Sequence, residues 1–495
     1  MSKSRFSGVV QGPPDPILNL GVMFRADPHP KKVNLGIGAY RNAELKPEIL
    51  QCVRKAEEFI YKHPETYTKE YLPLEGYVPF LKEAQKLIFG PDHVALKEGR
   101  VCSIQELSGS GSLLISADFM HRLLGINKIY IPNPTWGNHG ALIGKALCET
   151  EKYTYLGADG LYIDFEGMKK DFLAMPDGSV ILLHACAHNP SGVDLNEEQW
   201  RELLPIFKKK QHLPYFDCAY QGFATGDLDK DAMAMRLFAD EGIEFIICQS
   251  LSKNMGLYGE RCGAIHIHTV DKETADRVAS QVKRIVRATH SVSPCHGAYI
   301  ASVVLGTPEL FELFKEEVKK MAGRLLDMRK KIYDALSKTA PEKNWDHVIY
   351  QRGMFSFTGL DSHQVKMLAD EYHIYMVSSG RMALTGLNDG NIQYVADSIK
   401  AEEVKKMAGR LLDMRKKIYD ALSKTAPEKN WDHVIYQRGM FSFTGLDSHQ
   451  VKMLADEYHI YMVSSGRMAL TGLNDGNIQY VADSIKAVLD KTAKK

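Results

Sequence analysis

Residues 248–264 read CQSLSKNMGLYGERCGA, and this stretch decides the fold. An apolar run predicts a strand that ends at Ser250, a polar loop then carries Lys253, and Arg261 opens the next strand. A lysine that forms a Schiff base must lose its proton, which a desolvated or cationic setting favours, and Arg261 can supply the positive charge. The motif therefore predicts a reactive lysine beside an anion site, with an ordinary surface lysine as the alternative.

The same alternation of short apolar runs with helix-length segments extends through the first 315 residues. It predicts an α/β domain with a largely parallel central sheet, whose ligands bind at the carboxyl ends of the strands. The strand candidates are Lys128–Pro132, Ser179–Ala185, Pro214–Asp217, Phe245–Cys248 and Gly263–His268.

A second anion site is indicated by Ser108, Gly109 and Ser110, which follow a predicted strand at Val101–Ile104 and precede an apolar helix from Leu113. A Gly-rich turn at a helix N-terminus presents backbone N–H groups to an anion. The Gly-Lys-Ser/Thr of a nucleotide-binding loop is missing from this turn. An ordinary Ser-capped helix start is the alternative interpretation.

The stretch HACAHNPSG at residues 184–192 raises the question of a metal site. On a strand, His184, Cys186 and His188 would share one face, but no fourth ligand lies at a supporting spacing, so we predict no metal. Asn189, followed by Pro190, is better interpreted as a turn that points an amide at a ligand.

Three further residues have side chains suited to a flat, positively charged ring. Asp217 ends a predicted strand and could pair with a protonated pyridine nitrogen, and Tyr220 follows three residues later. Trp136, within PTWGNH, could stack on such a ring. Helix capping by Asp217 and core packing by Trp136 are the alternatives.

Composition excludes several classes of protein. The chain has 495 residues and a net charge of +1, which gives no footprint for nucleic acid. No apolar window approaches the ~18 residues of a membrane span. The eight cysteines are scattered without a C-x-x-C pair, which is typical of a reducing compartment, and the N-terminus lacks a transit helix. We expect a cytoplasmic protein.

The second half contains a perfect repeat, because residues 316–401 and 402–487 are identical. Each copy spans 401 − 316 + 1 = 86 residues, too long and too few for a solenoid. Identity without any substitution indicates a recent duplication of a gene segment or an error in the gene sequence. The elements predicted within copy 1 are a helix at Glu316–Ser337, strands at His347–Tyr350, 353–358 and Ile374–Val377, a helix at Ser362–Tyr372, and a last helix from Asn391 that fuses with copy 2.

Taken together, these motifs resemble the aspartate aminotransferases of the fold-type-I pyridoxal-phosphate (PLP) family. The resemblance covers nearly the whole chain from GPPDPIL at residue 12, counting one copy of the repeat. Its most specific strings are VNLGIGAYR from residue 33, HACAHNPSG from 184, AYQGFA from 219 and GMFSFTGL from 353. GPPDPIL and KNMGLYGERCGA are similar to the mitochondrial branch, which leaves a mitochondrial location open.

The resemblance implies PLP as the cofactor and a role for each matching residue. Lys253 would hold the cofactor and move the substrate proton, Asp217 would pair with the ring nitrogen, and His139 would support Asp217. Tyr220 and Asn189 would bind the ring oxygen. The remaining cofactor contacts implied are the stacking Trp136 and, around the phosphate, Ser108, Gly109, Ser110, Ser250, Ser252, Arg261 and Tyr71 of a neighbouring subunit.

Two arginines set the substrate that the resemblance implies. Arg381 would clamp the α-carboxylate near Gly38, and Arg287 would cross a homodimer interface to bind the side-chain carboxylate of aspartate, glutamate or their oxo acids. Trp136 and Asn189 would also face the substrate. Arg467 repeats the context of Arg381 in copy 2, and we expect copy 1 to complete the site.

These inferences give four predicted segments: an N-terminal arm and part of the small domain (1–47), a large PLP-binding domain (48–315), a small domain formed by copy 1 (316–401), and the duplicate with the C-terminal tail (402–495). The predicted reaction is amino transfer between L-aspartate and 2-oxoglutarate. Two alternatives remain: an aromatic or broad-range aminotransferase, and a non-catalytic binding protein whose activity the duplication has spoiled.

Overall fold

The computed structural model describes residues 4–15, 17–36 and 38–493. Its contacts divide the chain into two compact units, Met1–Asp397 and Ser398–Lys495. Within the described ranges, no helix is long and apolar enough to cross a membrane.

A seven-stranded sheet forms the centre of the first unit. One strand, Cys262–His268, runs antiparallel to both of its neighbours, and the other strand pairs are parallel. The expectation of a largely parallel α/β sheet is confirmed. In spatial order the strands are Val101–Leu107, Cys262–His268, Phe245–Ser250, Leu213–Cys218, Val180–His184, Lys128–Asn133 and Glu149–Thr154.

Helices supply the layers on either side of this sheet. Successive strand residues point to opposite faces, and accordingly Leu182 and Tyr215 belong to one apolar core whereas Leu183 and Phe216 belong to another. The helices of the first unit are Leu18–Ala26, Gln51–Lys62, Val78–Phe89, Val94–Lys97, Ser108–Leu124, His139–Lys145, Phe165–Ala174, Glu197–Lys210, Leu228–Asp231, Met233–Asp240, Lys272–Thr289, Cys295–Gly306, Pro308–Thr339, Asp346–Tyr350 and Ser362–Tyr372, with a 3-10 turn at Leu384–Gly386.

Two short strand pairs complete the first unit. Val33–Asn34 pairs in parallel with Ile374–Tyr375, and Phe355–Phe357 pairs antiparallel with Arg381–Ala383. Both pairs include residues of the first repeat copy, so this copy is built into the same unit as the large sheet.

One predicted strand of the repeat is wrong. Residues Asp346–Tyr350 form a short helix instead of the strand expected at His347–Tyr350. The side chain of Asn344 accepts a hydrogen bond of 2.7 Å from the backbone N–H of Asp346, and this local bond starts a helical turn that periodicity could not reveal.

The second unit has a core of its own, made from the second copy. The predicted fused helix is confirmed as Ile392–Thr425, which begins in the first unit and ends in the second. The other elements of this unit are the helices Asp432–Tyr436, Ser448–Tyr458 and Ile478–Ala493, a 3-10 turn at Leu470–Gly472, and the antiparallel strands Phe441–Phe443 and Arg467–Ala469.

The two copies share their internal contacts but differ in one face. Arg329 and its counterpart Arg415 each donate hydrogen bonds to three backbone carbonyls at equivalent positions. Tyr375, beside the strand at Val33, is 6% exposed, whereas its counterpart Tyr461 is 79% exposed. The second copy therefore keeps these internal contacts of the first copy and exposes a face that the first copy buries.

Candidate active site

A cavity of about 210 Å³ opens in the first unit where parallel strands end. Strand register sets His184 beside Asp217 and Asp217 beside Cys248, and the antiparallel pair sets Leu107 opposite Cys262. The sequence singled out most of the lining residues, namely Gly38, Ser108, Gly109, Ser110, Trp136, Asn189, Asp217, Tyr220, Ser250, Ser252, Lys253, Arg261 and Arg381, and missed Ile17, Leu113, Ala219 and Phe355.

Hydroxyl groups converge with a guanidinium at one end of the cavity. The Ser108 Oγ lies 2.7 Å from the Oγ atoms of both Ser250 and Ser252. Arg261 donates from Nη2 to the Ser110 Oγ at 3.1 Å and from Nη1 to the Ser252 Oγ at 3.3 Å. A 17-residue helix begins at Ser108, earlier than the predicted start at Leu113, so its free N–H groups face the same point. This end of the cavity is suited to a phosphate dianion.

A glycine that the sequence reading overlooked lets this end close tightly. A Cβ at Gly263 would lie 2.3 Å from the carbonyl oxygen of Gln249 and 2.8 Å from the Cα of Ser108. Any side chain there would push the strand away from the serine turn. The signal was present in the quoted motif as the final Gly-Ala, directly after Cys262.

The amine of Lys253 lies in the cavity, 5.5 Å from the centroid of the Tyr220 ring. Burial lowers the pKa of Lys253, and the positive charge of Arg261 lowers it further, while the carboxylate of Asp217 opposes both. The net lowering favours a neutral amine, the form that acts as a nucleophile and base.

Asp217 lines the cavity, and its carboxylate contacts the side chain of His139. His139, fully buried, contacts the Asp217 Oδ2 through Nε2 at 3.1 Å, and its Nδ1 lies 2.7 Å from the Oγ1 of Thr135. Burial acts to raise the pKa of Asp217. The hydrogen bond to His139 and the electrostatic effects of His139, His184 and Lys253 oppose burial and hold the pKa below its ordinary value. The carboxylate is therefore ionised at neutral pH.

His139, His184 and Asp217 also form a group whose potential ligand atoms lie within 4.8 Å of one another. The shared strand face considered for His184, Cys186 and His188, which the sequence analysis did not favour as a metal site, does not form. The strand ends at His184, and Ala187 turns the chain with φ of 48°, so Cys186 and His188 lie in a loop.

Arg381 forms the opposite wall of the cavity. Its Nη1 donates to the Asn189 Oδ1 at 3.2 Å, its Nη2 donates to the Gly36 carbonyl at 3.0 Å, and its Cζ lies 4.1 Å from the centroid of the Phe355 ring. Burial lowers the pKa of Arg381. A Cβ at Gly38 would meet the Phe355 ring at 2.4 Å, so glycine is needed there. The alternating GMFSFTGL stretch gave the only sequence signal for Phe355, a residue that orients the guanidinium.

Four predicted site residues do not line this cavity, and one of them, His139, is the buried partner of Asp217 described above. Tyr71 is 83% exposed. Arg287 is exposed near the end of its helix and donates a hydrogen bond to the Oγ of Ser291. Arg467 belongs to the second unit, where its guanidinium lies 4.5 Å from the centroid of the Phe441 ring.

Comparisons with known proteins identify the family. The chain matches the model of the family described as aminotransferase class I and II over residues 30–399, and again over 396–485. It is 46% identical over 397 residues to the chloroplastic aspartate aminotransferase of Arabidopsis thaliana, covering 80% of this chain and 87% of the relative.

Solved structures give the same result. The cytoplasmic aspartate aminotransferase from Giardia lamblia superposes with a TM-score of 0.79 at 44% identity, covering 81% of this chain and 99% of that chain. An aromatic-amino-acid aminotransferase from Burkholderia pseudomallei, covalently bound to pyridoxal phosphate, gives 0.78 at 40% identity, with 81% and 100% covered.

The fold and the cavity therefore define a PLP-dependent transferase of fold type I, and the chain belongs to the class I and II aminotransferase family. Within that family it is an enzyme of the aspartate aminotransferase type, as its relatives at about 45% identity establish. The predicted fold, cofactor and reaction type are confirmed.

The residues of the cavity fit PLP. The amine of Lys253, whose pKa is lowered, suits the aldehyde of the cofactor. The serines and Arg261 suit its phosphate, and the ionised carboxylate of Asp217 suits its protonated ring nitrogen. The buried Nε of Arg381 has no hydrogen-bond partner among the described residues, which leaves a donor for a bound carboxylate.

Proposed function

We propose that the enzyme transfers the amino group reversibly between L-aspartate and 2-oxoglutarate, giving oxaloacetate and L-glutamate. One observation carries the proposal: a single cavity is lined by the amine of Lys253, the carboxylate of Asp217 and the guanidinium groups of Arg261 and Arg381. The first three groups match the cofactor, and the fourth matches a substrate carboxylate.

Within this proposal, each residue at the cofactor has a defined task. When bound, PLP supplies a ring that stabilises negative charge on the α-carbon of the substrate. Asp217 would keep a positive charge on the ring nitrogen, and the contact with His139 helps to keep Asp217 ionised. Lys253 removes the proton from the substrate α-carbon and later returns a proton, since burial favours its neutral amine. Tyr220 supports Lys253 from the adjacent wall.

The remaining residues around the cofactor would fix its position and that of the substrate. All four remaining residues line the cavity: Asn189 and Tyr220 would bind the ring oxygen, Trp136 would stack on the ring, and Gly38 would leave room for the substrate beside Arg381. The phosphate would be bound by Ser108, Gly109, Ser110, Ser250, Ser252 and Arg261.

Substrate selection requires a second subunit in this proposal. Arg381 binds the α-carboxylate through the planar geometry that suits a carboxylate. Arg287 and Tyr71 are exposed and do not line the cavity of their own chain. Their exposure supports a homodimer in which each subunit lends Arg287 to the side-chain carboxylate and Tyr71 to the phosphate in its neighbour.

We further propose that copy 1, residues 316–401, serves as the small domain over the large domain at 48–315, with 1–47 as the N-terminal arm. Arg381 lines the cavity, while Arg467 lies in the second unit, and this difference supports copy 1. Residues 402–495 are then a surplus module. A cytoplasmic location remains our proposal.

An aromatic or broad-range aminotransferase is the second candidate, because the Burkholderia pseudomallei structure similar to this chain has an aromatic amino-acid substrate by its name. Arg287 separates the two. Its positive charge matters for the side-chain carboxylate of aspartate and has no partner on phenylalanine.

The experiment compares kcat/KM for aspartate and phenylalanine in Arg287→Ala. Loss of a charge-assisted pair should reduce kcat/KM for aspartate about 100-fold or more and leave phenylalanine within about 3-fold. Arg284→Ala, at an exposed arginine of the same helix, is the matched control and should leave both substrates unchanged. Equal losses for both substrates would rule out the proposed role of Arg287.

A further inference from the structure

The loop that follows the strand Val180–His184 is fixed by a carboxylate that no role above uses. The Asp194 Oδ2 accepts a hydrogen bond of 2.7 Å from the backbone N–H of Ala187, and its Oδ1 accepts one of 2.8 Å from the N–H of His188. These are the two residues directly before Asn189. One side chain therefore binds both peptide groups that lead into the active-site amide.

These two hydrogen bonds stabilise a backbone conformation that an alanine rarely adopts. Ala187 has φ of 48°, in the left-handed region where a side chain is unfavourable. A Cβ at Gly353 would lie only 2.6 Å from the Cβ of Ala187, so the first repeat copy can approach this turn only because residue 353 is glycine. The two bonds from Asp194 offset this strain, because each satisfies a buried N–H group.

The far end of the same loop contacts the first copy through its backbone. The N–H of Arg352 donates to the Gly192 carbonyl at 2.5 Å, and a Cβ at Gly192 would lie 2.7 Å from the Arg352 carbonyl oxygen. Asn189, between the two ends, accepts the hydrogen bond from Arg381. The loop thus links the small-domain segment to the cavity, and Asp194 fixes its curvature.

We infer that Asp194 is a positioning residue: by holding Ala187 and His188 it aims the Asn189 amide at Arg381 and so sets the α-carboxylate clamp. The inference rests on the proposed role of Arg381. Asp194 itself does not line the cavity.

The charge of Asp194 is set by its buried surroundings. Burial raises the pKa of Asp194 to about 6, against the lowering effect of the two N–H groups, with Asp231 raising it and Arg352 lowering it. The other titratable groups that face it are Arg329, Tyr155 and Cys186. Assays at pH 7.5 therefore measure the ionised form.

The test is Asp194→Asn, which keeps the shape and replaces one acceptor oxygen by a donor. We expect the KM for aspartate and for 2-oxoglutarate to rise together by about 10-fold, since both share the α-carboxylate, with kcat within about 3-fold. Succinate binding to the cofactor-loaded enzyme, measured by calorimetry, should weaken by a similar factor. Unchanged KM and succinate affinity per loaded site would overturn the inference.

Two further variants separate positioning from general stability. Asp171→Ala removes a similar carboxylate bond, to the N–H of Thr154 at 2.7 Å, and should lower the melting temperature without changing KM. Adding Ala187→Gly to Asp194→Asn should recover part of the lost affinity, because glycine adopts positive φ without strain. Failure of that rescue would also count against the inference.

The proposed function can fail separately. If Arg381→Ala leaves KM unchanged, the clamp assignment itself is wrong. If Arg381→Ala raises KM while Asp194→Asn does not, only the role of Asp194 is wrong.

Discussion

Arg381 donates a hydrogen bond of 3.2 Å from Nη1 to the Oδ1 of Asn189, which joins the first repeat copy to a loop of the large sheet. Both side chains are buried, at 5% and 6% exposure. Removing one partner of a buried, charge-assisted bond costs about 2–5 kcal/mol, which is roughly 30-fold to several thousand-fold in an equilibrium or rate. The identity of the two copies provides a matched pair for testing this contact.

We expect Arg381→Ala to lower kcat/KM for aspartate by at least about 100-fold, because the α-carboxylate loses its guanidinium. Arg467→Ala, the same change in the same local sequence, should leave kcat/KM within about 2-fold, as for an exposed substitution. Steady-state kinetics on both variants decides the matter. The reverse pattern would show that copy 2 completes the site.

His139 is expected to control the pH dependence through Asp217. Burial acts to raise the pKa of Asp217, but the His139 hydrogen bond and the electrostatic effects of His139, His184 and Lys253 together outweigh it, so the pKa lies below its ordinary value and the carboxylate keeps its charge through the neutral range. In His139→Ala burial is no longer opposed by that bond, and the pKa of Asp217 should rise. The acidic limb of the kcat/KM profile should then move to higher pH.

Asp217→Asn serves as the companion variant, since it removes the charge at every pH. It should lower kcat by about 100-fold or more, as for loss of a preorganised charge. An acidic limb at the same pH in His139→Ala and the wild type would contradict this role for His139.

The shifted pKa of Glu106 should make the free energy of unfolding fall as pH rises. Glu106 is fully buried beside the serine turn, 3.7 Å from the Nε2 of His290, and burial raises its pKa to about 8. The unfolded chain loses this proton near pH 4.3 and the folded chain only near pH 8, so between these values the folded state binds more protons. Stability then falls with pH, by up to about 1.4 kcal/mol per unit, and levels off above pH 8.

Glu106→Gln keeps the shape of the side chain but can neither bind nor release this proton. Its midpoint of urea unfolding should exceed that of the wild type at pH 8 and match it near pH 5. A constant difference at both pH values would show that Glu106 titrates normally.

Most strands of the central sheet could be predicted because they are buried on both faces and stand out as apolar runs, whereas the edge strand Glu149–Thr154, exposed at its first four residues, was missed. Phe245–Ser250 is buried at every position, and such a run ends where the first polar loop begins. The residues at that edge, from Ser250 to Arg261, were predictable for the same reason: parallel strands bring their carboxyl ends together.

The features that escaped prediction depend on contacts between distant residues. The left-handed turn at Ala187 depends on Asp194, and nothing in an alanine indicates positive φ. Phe355 lines the cavity only because its strand pairs with that of Arg381. The roles of Tyr71 and Arg287 remain predictions, because both concern a second subunit.

Removing one repeat copy should leave a fully active enzyme. Deleting residues 402–487 gives 495 − 86 = 409 residues, the same product as deleting 316–401, since the copies are identical. Every residue that lines the cavity lies between Ile17 and Arg381. We therefore expect kcat/KM for aspartate per cofactor site to stay within about 2-fold of the full chain.

The same deletion should reduce self-association. In copy 2, Phe441 is 44% exposed and Tyr461 is 79% exposed, whereas Phe355 and Tyr375 in copy 1 are 3% and 6% exposed. Exposed apolar faces promote association, so light scattering of the full chain should rise with concentration more steeply than that of the 409-residue form. Tyr461→Ser in the full chain should reduce this rise. Tyr436→Ser is the control, because Tyr436 and its copy 1 counterpart, Tyr350, are both exposed, at 75% and 67%. Equal scattering by the full and shortened chains would mean that the exposed face of copy 2 does not drive association.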